Sequence, residues 1–335
     1  MKHANVAIFI PHNGCPNQCS FCNQKSITGL ATQPTPKDIE NAIGIAISSL
    51  GEKSKDAEIA FFGGSFTAID RDYMTELLSV AAAYVKSGEF AGIRISTRPD
   101  AIDDEILSIL KKYGVTSIEL GAQSMDDEVL MLNRRGHTSE DVKNASCLIK
   151  KYGFSLGLQM MTGLYGGNAD KDYETGKSIA ALSPDTVRIY PTVIMKSTYL
   201  GELYEQGKYQ TLSFDATVDL CSRLLRLFSV NNIQVIRLGL HDTDTLHKDM
   251  IAGVWHPAFR EICESHILLE RCIEYIKNNG ITQKNIEILV NNKTVSKMVG
   301  QKRSNIKKLA EMGYIVRVKK DNSVNVDDFV IRTCG

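Results

Sequence analysis

Val6-Ala7-Ile8-Phe9-Ile10-Pro11-His12-Asn13-Gly14-Cys15-Pro16-Asn17-Gln18-Cys19-Ser20-Phe21-Cys22 is the stretch on which the fold turns. Five apolar residues rich in β-formers read as a buried strand, and Pro11 to Gly14 read as the turn that ends it. A cysteine loop at the exit of a first strand is where an α/β fold collects its chemistry. Three thiolates on one tight loop suit three irons of a [4Fe–4S] cluster and leave the fourth iron without a protein ligand. An open metal position is where a substrate or co-substrate binds. Zinc is the alternative, with His12 as the nearest fourth ligand. A disulfide framework fits poorly, because eight cysteines in 335 residues are sparse and the other five show no regular spacing. Of those, Cys147, Cys221, Cys263 and Cys272 fall in helical patterns and read as small core hydrophobes, with Cys334 an exposed bystander.

Strand-like runs recur at Glu58–Phe62, Ile93–Thr97, Ser117–Leu120, Phe154–Met160 and Thr186–Tyr190. Amphipathic stretches near 35–50, 70–87, 102–113, 125–151 and 170–182 separate them. Asp70 and Ser139 read as helix N-caps and Pro36 as a first-turn residue. Continuous apolar strands alternating with helices predict a parallel sheet covered by helices. Six β/α units make a partial barrel or an open doubly wound sheet, and no Gly-rich dinucleotide fingerprint supports the latter. After Thr192 the alternation stops. Helical patterns over about 214–231 and 257–279 flank an Ile233–Leu238 run and a polar His241–Lys248 loop. The tail reads strand Ile286–Asn291, helix Thr294–Val299, helix Ser304–Met312, strand Tyr314–Val318, with Asn292 and Gly313 as turn and cap. The expected organisation is an α/β domain over 1–240, a helical connector over 241–283 and a small basic α+β module over 284–335.

Hydrophobic content of 43% and charged content of 23% belong to an ordinary globular protein. No apolar run approaches the roughly 20 residues that cross a bilayer, and the N-terminus lacks a cleavable signal pattern. Unpaired thiols and an oxygen-sensitive cluster are expected in a reducing cytoplasm. Net charge is zero but uneven: from Lys284 to Lys320 ten basic residues face only Glu287 and Glu311, a local +8. That asymmetry suggests a polyanion-facing module, with a solvated Lys-rich face as the plain alternative.

Two strand ends carry further signals. Phe61-Phe62-Gly63-Gly64-Ser65-Phe66-Thr67 closes the second strand with two glycines, which allow close backbone approach to a ligand or simply form a tight turn. In Ser117-Ile118-Glu119-Leu120-Gly121-Ala122-Gln123-Ser124, a carboxylate inside an apolar strand is costly to bury without a partner. Arg98, in Ser96-Thr97-Arg98-Pro99-Asp100, is the candidate partner. Trp255 and His256 read either as pocket lining or as a packing anchor.

The cysteine spacing resembles the cluster loop of radical S-adenosylmethionine (SAM) enzymes. The resemblance implies a partial (β/α)6 barrel in which SAM chelates the vacant iron and is reductively cleaved to a 5′-deoxyadenosyl radical. An electron donor such as flavodoxin or ferredoxin is implied with it. Gly63, Gly64 and Ser65 match the segment that contacts the SAM amino group, through backbone at Ser65 because the family more often has an acid there. Phe21 matches an aromatic position near adenine, and Glu119 and Gln123 match contacts to ribose and SAM polar groups. Gly157-Leu158-Gln159-Met160 and Val187-Arg188-Ile189-Tyr190 resemble the adenine-contacting segments, adding Gln159 and Arg188. Arg98 and Glu119 stand as the candidate catalytic side chains.

A narrower likeness spans roughly residues 5–240. Ser96 to Asp100, Glu119 to Ser124, Asn133-Arg134-Arg135-Gly136-His137-Thr138, Tyr190-Pro191-Thr192 and Leu203-Tyr204 with Gly207-Lys208-Tyr209 look like the radical SAM core of the Elongator catalytic subunit. That family modifies the wobble uridine of tRNA, so an RNA substrate is implied. The family's acetyltransferase domain is not expected within these residues and the cysteine loop is tighter than the family's, so acetyl-CoA chemistry is not expected to carry over. Val299-Gly300-Gln301-Lys302-Arg303-Ser304-Asn305-Ile306 resembles the Gly-x-x-Gly loop of a KH domain, with Arg303 in place of the second glycine. Lys302, Arg303, Lys307 and Lys308 are the candidate phosphate contacts. The rival functions are a radical SAM enzyme on a small molecule, as in the distantly similar oxygen-independent coproporphyrinogen oxidases, and a non-catalytic RNA-binding protein with a zinc loop.

Overall fold

The computed structural model describes residues 5–11, 15, 18–23 and 32–333. The expectations placed on His12 and Cys334 lie outside the described residues. The chain divides into two compact units, Met1–Ser213 with Leu227–Val254, and Phe214–Arg226 with Trp255–Gly335.

In the first unit, β1 (Asn5–Ile10), β2 (Glu58–Gly63), β3 (Gly92–Thr97), β4 (Val115–Gln123), β5 (Ser155–Thr162) and β6 (Thr186–Pro191) lie side by side in sequence order. A short β7 (Val193–Met195) leaves this sheet to pair with β9 (Met250–Gly253). The sheet gains one more strand, β8 (Gln234–Leu238), parallel to β6. The sheet is therefore a seven-stranded parallel partial barrel, one strand wider than the expected six-unit array. The added strand is the Ile233–Leu238 run, separated from β6 by a long stretch of chain that carries β7 and two helices. The inner strands β2 to β5 are mostly buried along their length, as a helix-covered parallel sheet requires. Ile59, Phe61, Ile93, Ile95, Ile118 and Leu120 are fully buried in it, each stabilising by about 1.5–3 kcal/mol.

The covering helices are α1 (Pro36–Leu50), α2 (Arg71–Lys86), α3 (Asp104–Lys112), α4 (Asp127–Leu132), α5 (Ser139–Lys151) and α6 (Ala169–Ala181). Thr35 and Asp38 form a capping box ahead of Pro36, and Asp70 caps α2 by accepting from the Tyr73 backbone N–H. The cap of α5 is Thr138, not Ser139, because Asp141 stands three residues after Thr138 and closes the reciprocal box. Cys147 also departs from expectation. The inward face of α5 is Val142, Ala145, Ser146 and Ile149, which leaves Cys147 exposed.

Two helices follow β7: α7 (Tyr199–Glu205) and α8 (Phe214–Val230), the latter divided between the units at Arg226. A one-and-a-half-turn α9 (Asp244–Asp249) precedes β9. In the second unit, α10 (Phe259–Asn278) leads to β10 (Asn285–Val290), α11 (Val295–Val299), α12 (Ser304–Glu311), β11 (Ile315–Lys320) and β12 (Phe329–Thr333). The sheet order is β11-β10-β12, with β11 parallel and β12 antiparallel to β10. Strand β12 had no sequence expectation, since its side chains are mostly exposed and carry no strong apolar signal. Leu268, Leu269, Cys272 and Ile276 of α10 share one core with Ile286, Ile288 and Val290. The segment expected to be a separate connector therefore contributes its long helix to the C-terminal core. Burial pushes the Cys263 and Cys272 thiols up to about 12, so they behave as hydrophobes. His256 ends up as a turn residue, its Nδ1 accepting from the Ala258 N–H at 3.0 Å. Among the described residues no helix is long and apolar enough to cross a membrane.

Candidate active site

The cysteine loop is held by groups far away in sequence. Cys19 is buried, and Cys15 and Cys22 are half-buried. The Ser20 backbone N–H donates to Asn133 O (3.1 Å), its hydroxyl donates to Asn133 Oδ1 (2.6 Å), and its carbonyl accepts from the Leu200 N–H (2.8 Å). Asn133 is itself fixed by donating from Nδ2 to Val129 O and Tyr165 O, both at 2.8 Å. Arg135 Nη1 donates to Cys19 Sγ (3.0 Å) while Nη2 donates to Gly121 O (2.7 Å), which ties the loop to the end of β4. Between these two anchors Arg134 takes a left-handed φ of 55° and lays its guanidinium 3.5 Å from the centre of the Tyr199 ring. The sequence of Asn133 to Thr138 carries no local signal of a role. Its role here is to clamp the loop.

The rim of β2 is equally constrained. Gly64 N–H donates to Ile10 O at 2.7 Å, and a Cβ on Gly63 (φ 112°) would lie 2.8 Å from that same oxygen. The Ser65 hydroxyl is engaged within the protein, 2.9 Å from Thr97 Oγ1 and accepting from the Arg98 N–H at 3.2 Å. Burial and the neighbouring Cys19 thiol raise the Cys15 thiol above its ordinary value, against the pull of Arg98, Arg135 and the Ser65 backbone.

Arg98 does not pair with Glu119. Its guanidinium grips Asp100 in a two-point pair (2.9 and 2.8 Å) and donates to Arg135 O (2.7 Å). Arg98 lies just past the end of β3, where Pro99 turns the chain toward Asp100 and the Arg135 turn. The partners of Glu119 sit within the strands instead. Its Oε1 accepts from Arg94 Nη1 on β3 (3.0 Å) and from Arg188 Nη2 on β6 (2.9 Å). Arg94 Nε also donates to Glu58 Oε2 on β2 (2.7 Å), whose other oxygen accepts from the Ser117 hydroxyl (2.7 Å). The chain Glu58–Arg94–Glu119–Arg188 thus crosses the sheet interior, with its first three side chains only 6% exposed. Gly157 makes the span possible: a Cβ there would sit 2.8 Å from Glu119 Cγ. Two acids and two arginines cancel, as a dry interior demands. Burial disfavours the Arg188 cation, but Glu119 outweighs it and raises its pKa.

Beside this network Gln159 Nε2 donates to Gln123 Oε1 (3.2 Å), and Gln123 adopts a φ of 65° at a bulge between β4 and β5. Phe21 packs against Ile194, Leu200, Leu203 and Tyr209. Two buried titratable groups went unnoticed in the sequence. His137 Nε2 lies 3.2 Å from Ala122 O, and burial with nearby Arg135 lowers its pKa to about 4. Asp172 accepts from the Gly163 N–H (2.6 Å), yet burial raises its carboxyl to about 7.

The basic residues belong to the second unit. Gly300 has φ 75° and lies where a Cβ would meet Ser304 Oγ at 2.4 Å. Lys302 (φ 51°) and Arg303 (φ 64°) follow in consecutive left-handed conformations, which cost about 1–2 kcal/mol each for side chains with a Cβ. The loop is braced by buried Asn305, whose Nδ2 donates to Ser265 O (3.0 Å) and Met298 O (3.2 Å). Lys302, Arg303, Lys307 and Lys308 are all exposed. A cavity of about 540 Å³ adjoins the loop, lined by Gly300, Gln301, Val299, Ser265 and Lys320 among others. It contains no residue of the cysteine site.

The radical SAM superfamily model matches residues 9–177, and the radical SAM C-terminal domain model matches 184–268. The chain belongs to the radical SAM superfamily and is a radical SAM enzyme. It is similar to the tRNA uridine(34) acetyltransferase of Dehalococcoides mccartyi, 25% identical over 61% of this chain and 52% of that protein. Elongator complex protein 3 of Saccharomyces cerevisiae is 29% identical over 54% of this chain and 36% of its own length. The chain thus spans about half or less of these two relatives. An uncharacterized protein of Methanocaldococcus jannaschii is 30% identical over 68% of both chains. The solved Methanocaldococcus infernus Elp3 shares the fold, with a TM-score of 0.61 at 21% identity, over 84% of this chain and 64% of that one. Membership implies a [4Fe–4S] cluster and SAM. The donor set suits them: three cysteine sulfurs on one loop, with the Arg135 cation on one sulfur and Arg98 close by.

Proposed function

We propose that Cys15, Cys19 and Cys22 hold a [4Fe–4S] cluster that binds SAM, and that the enzyme modifies RNA, with tRNA as the substrate class. The observation that supports the cluster is the Asn133/Arg135 clamp, which fixes the cysteine loop against the C-terminal end of a parallel sheet. When bound, the cluster supplies the electron that cleaves SAM to methionine and a 5′-deoxyadenosyl radical. The protein's own residues bind, orient and exclude water. The backbone of Gly63 to Ser65 offers close approach to the SAM amino group. Gln123 and Gln159 present amides toward the ribose, and Phe21 an apolar ring to the adenine. Glu119 accepts from both Arg188 and Arg94, so it and Arg188 hold the site's floor rigid rather than turning to the ligand. Arg98 supports the Arg135 turn from below.

The RNA reading rests on the relatives named above and on the exposed cationic loop of the second unit. Its KH-like part is the helix–loop–helix between parallel β10 and β11, where Gly300 to Arg303 would meet phosphates. The test is anaerobic reconstitution with flavodoxin or ferredoxin as electron donor, followed by assay of 5′-deoxyadenosine with and without bulk tRNA. Formation that rises with tRNA is the expected result. Formation indifferent to tRNA would point to a small-molecule substrate, and a Mössbauer spectrum without a cubane after anoxic assembly would end the reading.

A further inference from the structure

A second metal-ligating constellation lies entirely within the second unit. Ser222 Oγ on α8 donates to Cys263 O on α10 (3.1 Å), which pins the two helices together. Near this contact Asp219 of α8 meets His266 and Glu270 of α10, and the three ligand atoms lie within 4.8 Å of one another. The i,i+4 spacing places His266 and Glu270 on one helix face.

The distances discriminate between an ordinary polar cluster and a cation site. His266 Nε2 stands 3.6 Å from Glu270 Oε1 and 3.9 Å from Asp219 Oδ1. Both exceed the roughly 2.7–3.2 Å of a hydrogen bond. The nitrogen is buried and has no hydrogen-bond partner among the described residues. A tetrahedral ion with metal–nitrogen and metal–oxygen bonds near 2.1 Å separates its ligands by about 3.4 Å. The observed gaps are close to that edge. The outer oxygens are attended by cations, Arg226 Nη1 at 3.8 Å from Glu270 Oε2 and Arg223 Nη1 at 3.9 Å from Asp219 Oδ2. These guanidiniums offset the excess negative charge and leave the inner oxygens turned toward the imidazole.

We propose that Asp219, His266 and Glu270 bind one divalent cation of the zinc and manganese class, joining α8 to α10. One nitrogen and two carboxylate oxygens form a borderline ligand set that suits such ions. With side chains 32–49% exposed, water completes the coordination and the ion exchanges with solution. None of these residues belongs to the cysteine site, so this metal is independent of the cluster.

The test uses the full chain with its cluster assembled anaerobically, because a filled cysteine loop no longer competes for added metal. Manganese(II) is titrated while the six-line electron paramagnetic resonance signal of the free ion is followed, and zinc is then added as competitor. One manganese per chain is expected, released by one equivalent of zinc. His266→Ala and Glu270→Gln are each expected to weaken retention at least tenfold, whereas His247→Ala leaves it unchanged. Thermal midpoints without added metal check that the variants fold, and Asp219→Asn replaces any that does not. Absence of stoichiometric retention overturns the proposal, and so does retention that survives both the histidine and the glutamate substitution.

Discussion

Two regions of this chain gather charge, and they treat it in opposite ways. Inside the parallel sheet Glu58, Arg94, Glu119 and Arg188 alternate in sign, nearly buried and mutually bonded. Around Gly300 to Lys308 the charges are of one sign and exposed, and among the described residues only Lys308 has an acidic partner, Glu311 at 3.2 Å. Charge removed from water must be matched, so its presence indicates architecture before ligand binding. Charge left unmatched on a braced surface loop is available to a polyanion. The sharpest test of this contrast is Glu119→Gln, which leaves Arg94 and Arg188 without the carboxylate they share. The loss should be about 3–5 kcal/mol of stability in denaturant unfolding, nearly independent of salt. A loss below about 1 kcal/mol, the range of exposed pairs, would erase the distinction between the two regions.

The same unit holds two buried titratable groups whose effects on stability oppose each other. Asp172 has its carboxyl raised from 3.8 to about 7, so between those values the folded state keeps a proton that the unfolded chain releases. Its contribution therefore falls as pH rises through that window. His137 is lowered from 6.5 to about 4, so the unfolded chain takes up a proton that the folded state refuses. Its contribution is complete above 6.5 and is lost as pH falls toward 4. Over the shared interval each slope is at most about 1.4 kcal/mol per pH unit, and they largely cancel. Asp172→Asn keeps an oxygen for the Gly163 N–H and should make stability rise with pH across this interval. His137→Gln should make it fall. Equal slopes in the two variants, measured by urea unfolding at several pH values, would refute the opposition.

Much of this was visible in the sequence wherever the signal is local. The apolar runs that became β1 to β6 sit next to the turns that end them, and the three thiols lie within eight residues. Glu119 was recognisable as a buried charge in need of a partner, but which arginine answers depends on register. Ser96 is the residue of β3 opposite Glu119, so Arg94 falls on the same face two residues back, while Arg98 lies beyond the strand. The bond from Arg135 to Cys19 joins residues 116 positions apart and has no local signature. Its loss is the next test in size. Arg135→Met removes the donors to Cys19 Sγ and Gly121 O, and groups that orient metal ligands typically matter by about 10–100-fold in affinity or activity. Iron retention and 5′-deoxyadenosine formation should fall in that range, and unchanged values would reduce the clamp to a folding contact.

The smallest expected effect probes the other side of the contrast. Lys302→Ala and Arg303→Ala should each weaken retention of bulk tRNA uniformly and lower the slope of log affinity against log salt by about 1. Neither should alter the unfolding of the first unit. Arg303→Gly separates charge from backbone. Glycine adopts the left-handed conformation without the penalty of about 1–2 kcal/mol, against roughly 0.5–1 kcal/mol for its greater freedom when unfolded. Stability should thus change little while the salt slope still drops. Affinity regained with glycine while the slope stays lowered would mean that the backbone amides of Gly300 to Ser304, rather than the cations, meet the phosphates. The arginine would then be a substitution the loop tolerates rather than one it uses.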